Sequence, residues 1–297
     1  MSADKTSTDR ASRPRTGWQS ERYRALRRFV KQRLAFASLC FLLLMVLIAL
    51  LAPLIAPYPP ALTSLPDALQ GPSGAHWLGT DDLGRDTLSR VIYGTRTSLL
   101  AAAQATGLSV ILGAPLGILA GFLGGRWDSV MSRVADALMT FPGLLLAVVI
   151  VGILGPGLTN AMLAIGVVYA PRLFRVARAS ATSVMPETYI RAAETLGCSK
   201  TRIVLRHLVP NALSPIVVQI SLAMGTALLV EASLSFLGLG VQPPDASWGS
   251  LLGKAVPYLT VQPVAVIVTG SLIAAAILSF NLVGDGVRDS IGRERRS

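Results

Sequence analysis

VMPETYIRAAETLGCSKTRIVLRHLVPN, residues 184–211, is a polar interval between two long apolar segments, and its reading decides the rest of the chain. It reads as two short helices hinged at a glycine. Pro186 suits a first helical turn, where its missing N–H costs nothing. Tyr189, Ala192, Ala193 and Leu196 then fall at i, i+3, i+4 and i+7, one small apolar stripe. Glu187, Arg191 and Glu194 lie on the opposite side. Gly197 is placed to stop the helix in a left-handed cap, and a second helix is expected from about Ser199 until Pro210 ends it. A short amphipathic helix in a membrane protein's loop either rests on lipid or docks into a partner. Lipid-resting helices carry bulky apolar anchors and many lysines. This stripe offers two alanines, one Tyr and one Leu, which points to a groove in another protein.

The setting is a membrane protein. The 297 residues are 52% hydrophobic and 14% charged, with a formal net charge of +11, against roughly 25% charged residues in soluble domains. Two cysteines, Cys40 and Cys198, make neither a disulfide framework nor a zinc site. His76 and His207 have no partner at metal-ligand spacing. No metal, no cofactor and no nucleic-acid partner is expected.

Residues 1–33 carry ten Lys or Arg against three acids. The part to about Thr16 has a disordered composition. From Trp18 to Arg33 apolar residues alternate with arginines, as in a helix at the inner headgroup layer or in a tail that only sets topology. Six apolar runs follow, at about 34–56, 98–123, 130–154, 158–177, 212–237 and 263–283. The first is long enough to cross ~30 Å of hydrocarbon and lacks a convincing cleavage site. In the second, Gly113, Gly117, Gly121 and Gly125 bare one helix face for close packing. Pro115 and the Phe141-Pro142-Gly143 step should bend their helices. Between the first two runs, residues 57–97 form a polar loop. In it Thr80 is a candidate helix start, and Arg85, Asp86 and Arg90 are candidates for a charge cluster. With the amino terminus inside, inner segments hold 23 of the 27 Lys and Arg and outer segments hold 4. That bias orients the chain, puts both termini inside and places 184–211 in the cytoplasm.

Arg191-Ala192-Ala193, Gly197 four residues on and Pro210 thirteen beyond that resemble the "EAA" loop of permease subunits in binding-protein-dependent ABC importers. In that family the loop's first helix is the coupling helix, which inserts into a cleft of the cytoplasmic ATPase. The resemblance implies ATPase-coupling roles for Glu187, Tyr189, Arg191, Ala192, Ala193, Leu196 and Gly197. The sequence departs where the motif's opening Glu is Arg191 and its close reads His207-Leu208-Val209-Pro210. HWLGTDDLGRDTLSRVIYGTRTSL (76–99), SFLGLGVQPPDASWGSLL (235–252), with Trp248 expected at an interface, and FNLVGDGVRD (280–289) resemble the peptide/nickel subfamily, the C-type subunit.

The expected fold is all-α: six transmembrane helices of a type I ABC importer transmembrane domain. It divides into an N-terminal tail (1–33), a first span (34–56), an extracytoplasmic loop (57–97), a five-helix core (98–283) and a C-terminal tail (284–297). No Walker A sequence is present; Gly249 to Ala255 is one residue short and lacks the Ser or Thr for magnesium. The chain is therefore expected to be no enzyme, with ATP hydrolysed by partner subunits. An ion-coupled secondary transporter would place acids near the midplane. Glu231, the one acid well inside an apolar run, falls towards the outer boundary. It is either a structural group or a translocation-path residue. The resemblance implies a homologous permease subunit, two ATPases, an extracytoplasmic binding protein and membrane lipid as partners. Short peptides are the favoured substrate, with nickel and glutathione as alternatives.

Overall fold

A computed structural model describes residues 27–292. Of the expected tail helix at 18–33, residues 27–31 are helical and 18–26 lie outside the described residues. Numbered in chain order among the described residues, the α-helices are α1 Arg33–Ile55, α2 Thr87–Leu123, α3 Gly125–Thr140, α4 Gly143–Leu154, α5 Leu158–Val184, α6 Thr188–Thr195, α7 Lys200–Ile203, α8 Val209–Phe236, α9 Trp248–Ala255 and α10 Pro263–Gly292. No strand occurs among the described residues. Four helices are long and apolar enough to cross a membrane, or five if the bent α3–α4 pair counts as one span. α5 has the length, at 27 residues, but carries Arg172, Arg175 and Arg178 in its C-terminal half.

The core forms where α2 lies along α5, the most extensive helix contact in the molecule, with α8 and α10 completing the bundle. The glycine ladder explains the fit. A Cβ at Gly113, Gly117 or Gly121 would run into Ala170 O, Phe174 O or Ala181 Cβ, so only bare backbone lets α5 come this close. Gly125 does not share that face; it opens α3 with a positive φ of 59°.

The third apolar run bends at the expected Phe141-Pro142-Gly143 step, into α3 and α4. Phe141 is extended, Pro142 caps α4, and the two halves meet at 89°. Proline at that step has no N–H to continue the ladder. α4 is 12 residues, about 18 Å at 1.5 Å per residue, too short to cross alone. α3 lies against α5, held by Asp128–Arg178 and by Arg175 Nη2 to Asp136 Oδ1 at 2.5 Å. Pro115 leaves α2 continuous from Thr87 to Leu123.

The start of α2 differs from the expected Thr80. Asp86 is the N-cap, its carboxylate accepting from Ser89 N at 2.8 Å. Thr80 is used elsewhere, accepting from Gln70 N at 2.9 Å and bridging to Asp86. The charge cluster forms as expected. Arg85 reaches Asp81 at 2.7 Å, Arg90 reaches Asp81 at 3.4 Å, and His76 Nδ1 meets Asp86 at 2.9 Å. Arg90 is 0% exposed and also donates to Pro60 O at 2.9 Å. Gln262, just before α10, donates to Gln70 O and Leu78 O, tying the loop to the last helix. Lys254, half-buried beside this cluster, has its pKa pushed down, by burial first and then by Arg85 and Arg90.

Candidate coupling site

The polar interval folds as a helical hairpin with a core of its own. Pro186 precedes the helix rather than opening it. Glu187 is the N-cap, extended at φ −64° and ψ 140°, and Thr188 is the first helical residue. The stop is as expected. Gly197 has φ +74°, with Gly197 N donating to Glu194 O at 2.9 Å and Cys198 N to Ala193 O at 3.0 Å. That reciprocal pair closes a helix only when the residue after its cap is left-handed, which glycine does without strain. Ser199 caps the next turn by accepting from Arg202 N.

Pro210 does not end the second helix. Lys200 to Phe236 is one continuous helical run, with a widened turn at Val204–Leu208 just ahead of the proline. A proline ring clashes with the carbonyl four residues back, and a widened turn removes that register conflict. The hairpin's second arm is thus continuous with the membrane-length helix α8.

The expected stripe divides. Ala193 turns inward and packs with Ile190, Ile203 and Leu208 against Ala177, Ala181 and Val184 of α5. Tyr189, Ala192 and Leu196 face out, with Leu196 83% and Tyr189 42% exposed, and Arg191, Glu187 and Glu194 are exposed beside them. The sequence reading missed Ile190, which is 0% exposed and anchors α6. Its signal was present: Ile190 and Ala193 are themselves i and i+3, a second apolar line beside the first.

At the far end of α8 the structure turns Glu231 inward. It is 0% exposed, and Oε1 accepts from Ser235 Oγ at 2.7 Å. Ser98 of α2 and Ser247, which caps α9, also face this carboxylate. Ser98 Oγ already accepts from Trp248 N at 3.0 Å and Ser235 Oγ from Val241 N at 3.2 Å. Each hydroxyl so engaged keeps its own proton for a carboxylate. Trp248, expected at an interface, is instead buried between α9 and α2, with Nε1 near Val91 O. The loop folds back because Gly249 and Gly253 let α9 press on the α8 backbone at Ala232 and Phe236.

An all-helical bundle with several membrane-length helices, ending in a hairpin that leaves Tyr189, Ala192 and Leu196 exposed, has the architecture of a transporter's membrane domain. The solved methionine ABC transporter MetNI, in inward-facing conformations, shares this fold, with a TM-score of 0.57 over 68% of this chain and 97% of that one. At 18% identity the likeness is one of fold.

The chain belongs to the binding-protein-dependent transport system inner membrane components, whose family model matches residues 113–297. Residues 20–72 match the N-terminal TM domain of oligopeptide transport permease C. The dipeptide transport system permease protein DppC of Alkalihalophilus pseudofirmus is 41% identical, over 92% of this chain and 90% of its own length. The glutathione transport system permease protein GsiD of Pectobacterium atrosepticum is 39% identical, over 91% and 90%. The probable D,D-dipeptide permease DdpC of Escherichia coli is 40% identical, over 86% of each. This chain is a membrane-embedded permease subunit of an ABC importer, and ATP hydrolysis falls to a separate ATPase. Membership also implies a substrate-binding protein as partner.

Proposed function

We propose that the chain pairs with a homologous permease subunit, two ATPases and an extracytoplasmic binding protein to import short peptides across a bacterial cytoplasmic membrane by alternating access. Both termini face the cytoplasm, and the parts are the tail (1–33), first span (34–56), outer loop (57–97), core (98–283) and C-terminal tail (284–297). Membrane lipid surrounds the spans.

The observation that carries the mechanism is the division of the α6 stripe. Tyr189, Ala192 and Leu196 form the face that enters the ATPase. Ala193 supports it from beneath, Gly197 sets where the helix turns, and Glu187 and Arg191 flank it. Docking buries Leu196 and Tyr189, and the continuous Lys200–Phe236 helix carries the displacement into the membrane. For substrate, the relatives' names support short peptides through dipeptides and D,D-dipeptides, and GsiD's name supports the glutathione alternative. Of the two readings of Glu231, its burial against Ser235, Ser98 and Ser247 supports a clasp that fixes α9, rather than a group facing the path.

The test is uptake of labelled dipeptide, glutathione and nickel by cells whose only such importer contains this chain. Saturable dipeptide uptake that needs the ATPase supports the proposal. Nickel or glutathione uptake without dipeptide uptake would overturn the substrate class.

A further inference from the structure

Three arginines lie in residues 57–97, and they differ in their surroundings. Arg85 and Arg90 are buried and ion-paired with Asp81. Arg96 is exposed and makes no ion pair or hydrogen bond among the described residues. It stands at the mouth of an apolar groove of about 440 Å³ between α1 and α2. Leu42, Val46 and Leu50 line one side and Leu100 the other, with Phe280 of α10 contributing to the wall.

The dimensions fit one ligand. Leu42 to Leu50 covers about 12 Å along α1 at ~1.5 Å per residue, close to one leaflet's half of ~30 Å of hydrocarbon. Arg96 comes two residues before the apolar run 98–123, which puts its guanidinium at headgroup level. The facing helix offers no counterion, since α1 contains no acid. A guanidinium fork at this depth matches the oxygens of a phosphate.

We infer that the groove between α1 and α2 is a binding site for an anionic phospholipid, its phosphate on Arg96 and one acyl chain along Val46 and Leu50. The inference rests on the membrane placement proposed above and is independent of the substrate. The bound lipid covers apolar surface that α1, packed on the bundle through α2 and α10, leaves open.

The experiment uses the complex purified with its partner subunits. It is titrated with phosphatidylglycerol or phosphatidylcholine, and retained lipid is counted by native mass spectrometry. The wild type is expected to hold phosphatidylglycerol in preference to phosphatidylcholine. Arg96→Gln should lose about tenfold in that affinity, the worth of one charge-assisted contact, and Arg96→Lys should retain part of it. Val46→Trp, which fills the groove and keeps the arginine, should lose it as well. Equal retention by wild type and Arg96→Gln, or no preference between the two lipids, overturns the site. So does a disulfide from Val46→Cys to the homologous permease subunit in the membrane, since a helix would then occupy the groove. Because the readout is lipid retention, the site can fail while peptide import stands, and the reverse.

Discussion

The two ends of the molecule solve opposite problems. At one end, the hairpin buries a small apolar set, Ile190, Ala193, Ile203 and Leu208, and leaves Leu196 and Tyr189 exposed. At the opposite end, Trp248 is buried whole, Arg90 is taken out of solvent beside Asp81, and Glu231 beside Ser235. Exposed apolar residues on a rigid support are what a docking face requires, because their burial is completed by the partner. Buried charges do the reverse, since their geometry must be complete before any partner arrives. We read the inner end as made to meet a moving subunit and the outer end as made to hold its shape.

The largest effect should come from the outer end. Arg90→Ala leaves Asp81 without one of its cations and opens space beneath the loop. Breaking a buried pair costs about 3–5 kcal/mol, so the assembled complex should be lost from membranes. Quantifying the chain and its partners by immunoblot checks this; normal assembly would mean the outer cluster is not the fixed end. Leu196→Asp should abolish transport while the chain still assembles, because it puts a carboxylate on the docking face without touching the hairpin core. Parallel assays of uptake and copurification separate the two.

Gly197→Val is expected to act more weakly. A β-branched residue at φ +74° costs about 1–2 kcal/mol, and no atom lies within 4 Å of the missing Cβ. The strain is therefore local, and ATPase stimulation by loaded binding protein should fall while assembly persists. The smallest effect belongs to Glu231→Gln. An amide keeps the shape and most of the hydrogen bonding, so uptake of cationic and anionic peptides should change together and little, whereas Glu231→Leu should loosen α9. A shift in preference between cationic and anionic peptides under Glu231→Gln would return this residue to the path.

The fold class was legible because membrane-crossing helices are read from apolar length alone, and the glycine spacing already named the α2 face that packs on α5. The Gly197 stop was legible because a left-handed cap is a local event. What the sequence hid was which residues turn inward. Tyr189, Ala192, Ala193 and Leu196 share a stripe on a helical wheel, but only contact with α5 separates Ala193 from the other three. The bend at Pro142 in run 130–154 was legible, but its sharpness was not: at 89° it lays α3 against α5. Pro210 reads as a terminator because a proline rule knows nothing of the widened turn ahead of it. Trp248 is buried through a contact 150 residues away in sequence, which no local pattern reports.

The division of α6 into a supporting face and a docking face is tested most directly by site-specific disulfide cross-linking to the ATPase in the assembled complex. Leu196→Cys and Ala192→Cys, each paired with cysteines along the ATPase cleft, should cross-link, and the yield should change between nucleotide-free and ATP-bound states. Ile190→Cys should not cross-link in either state. Cross-linking from Ile190→Cys with none from Leu196→Cys would mean that the hairpin docks by the opposite face, and coupling through Tyr189, Ala192 and Leu196 would be wrong.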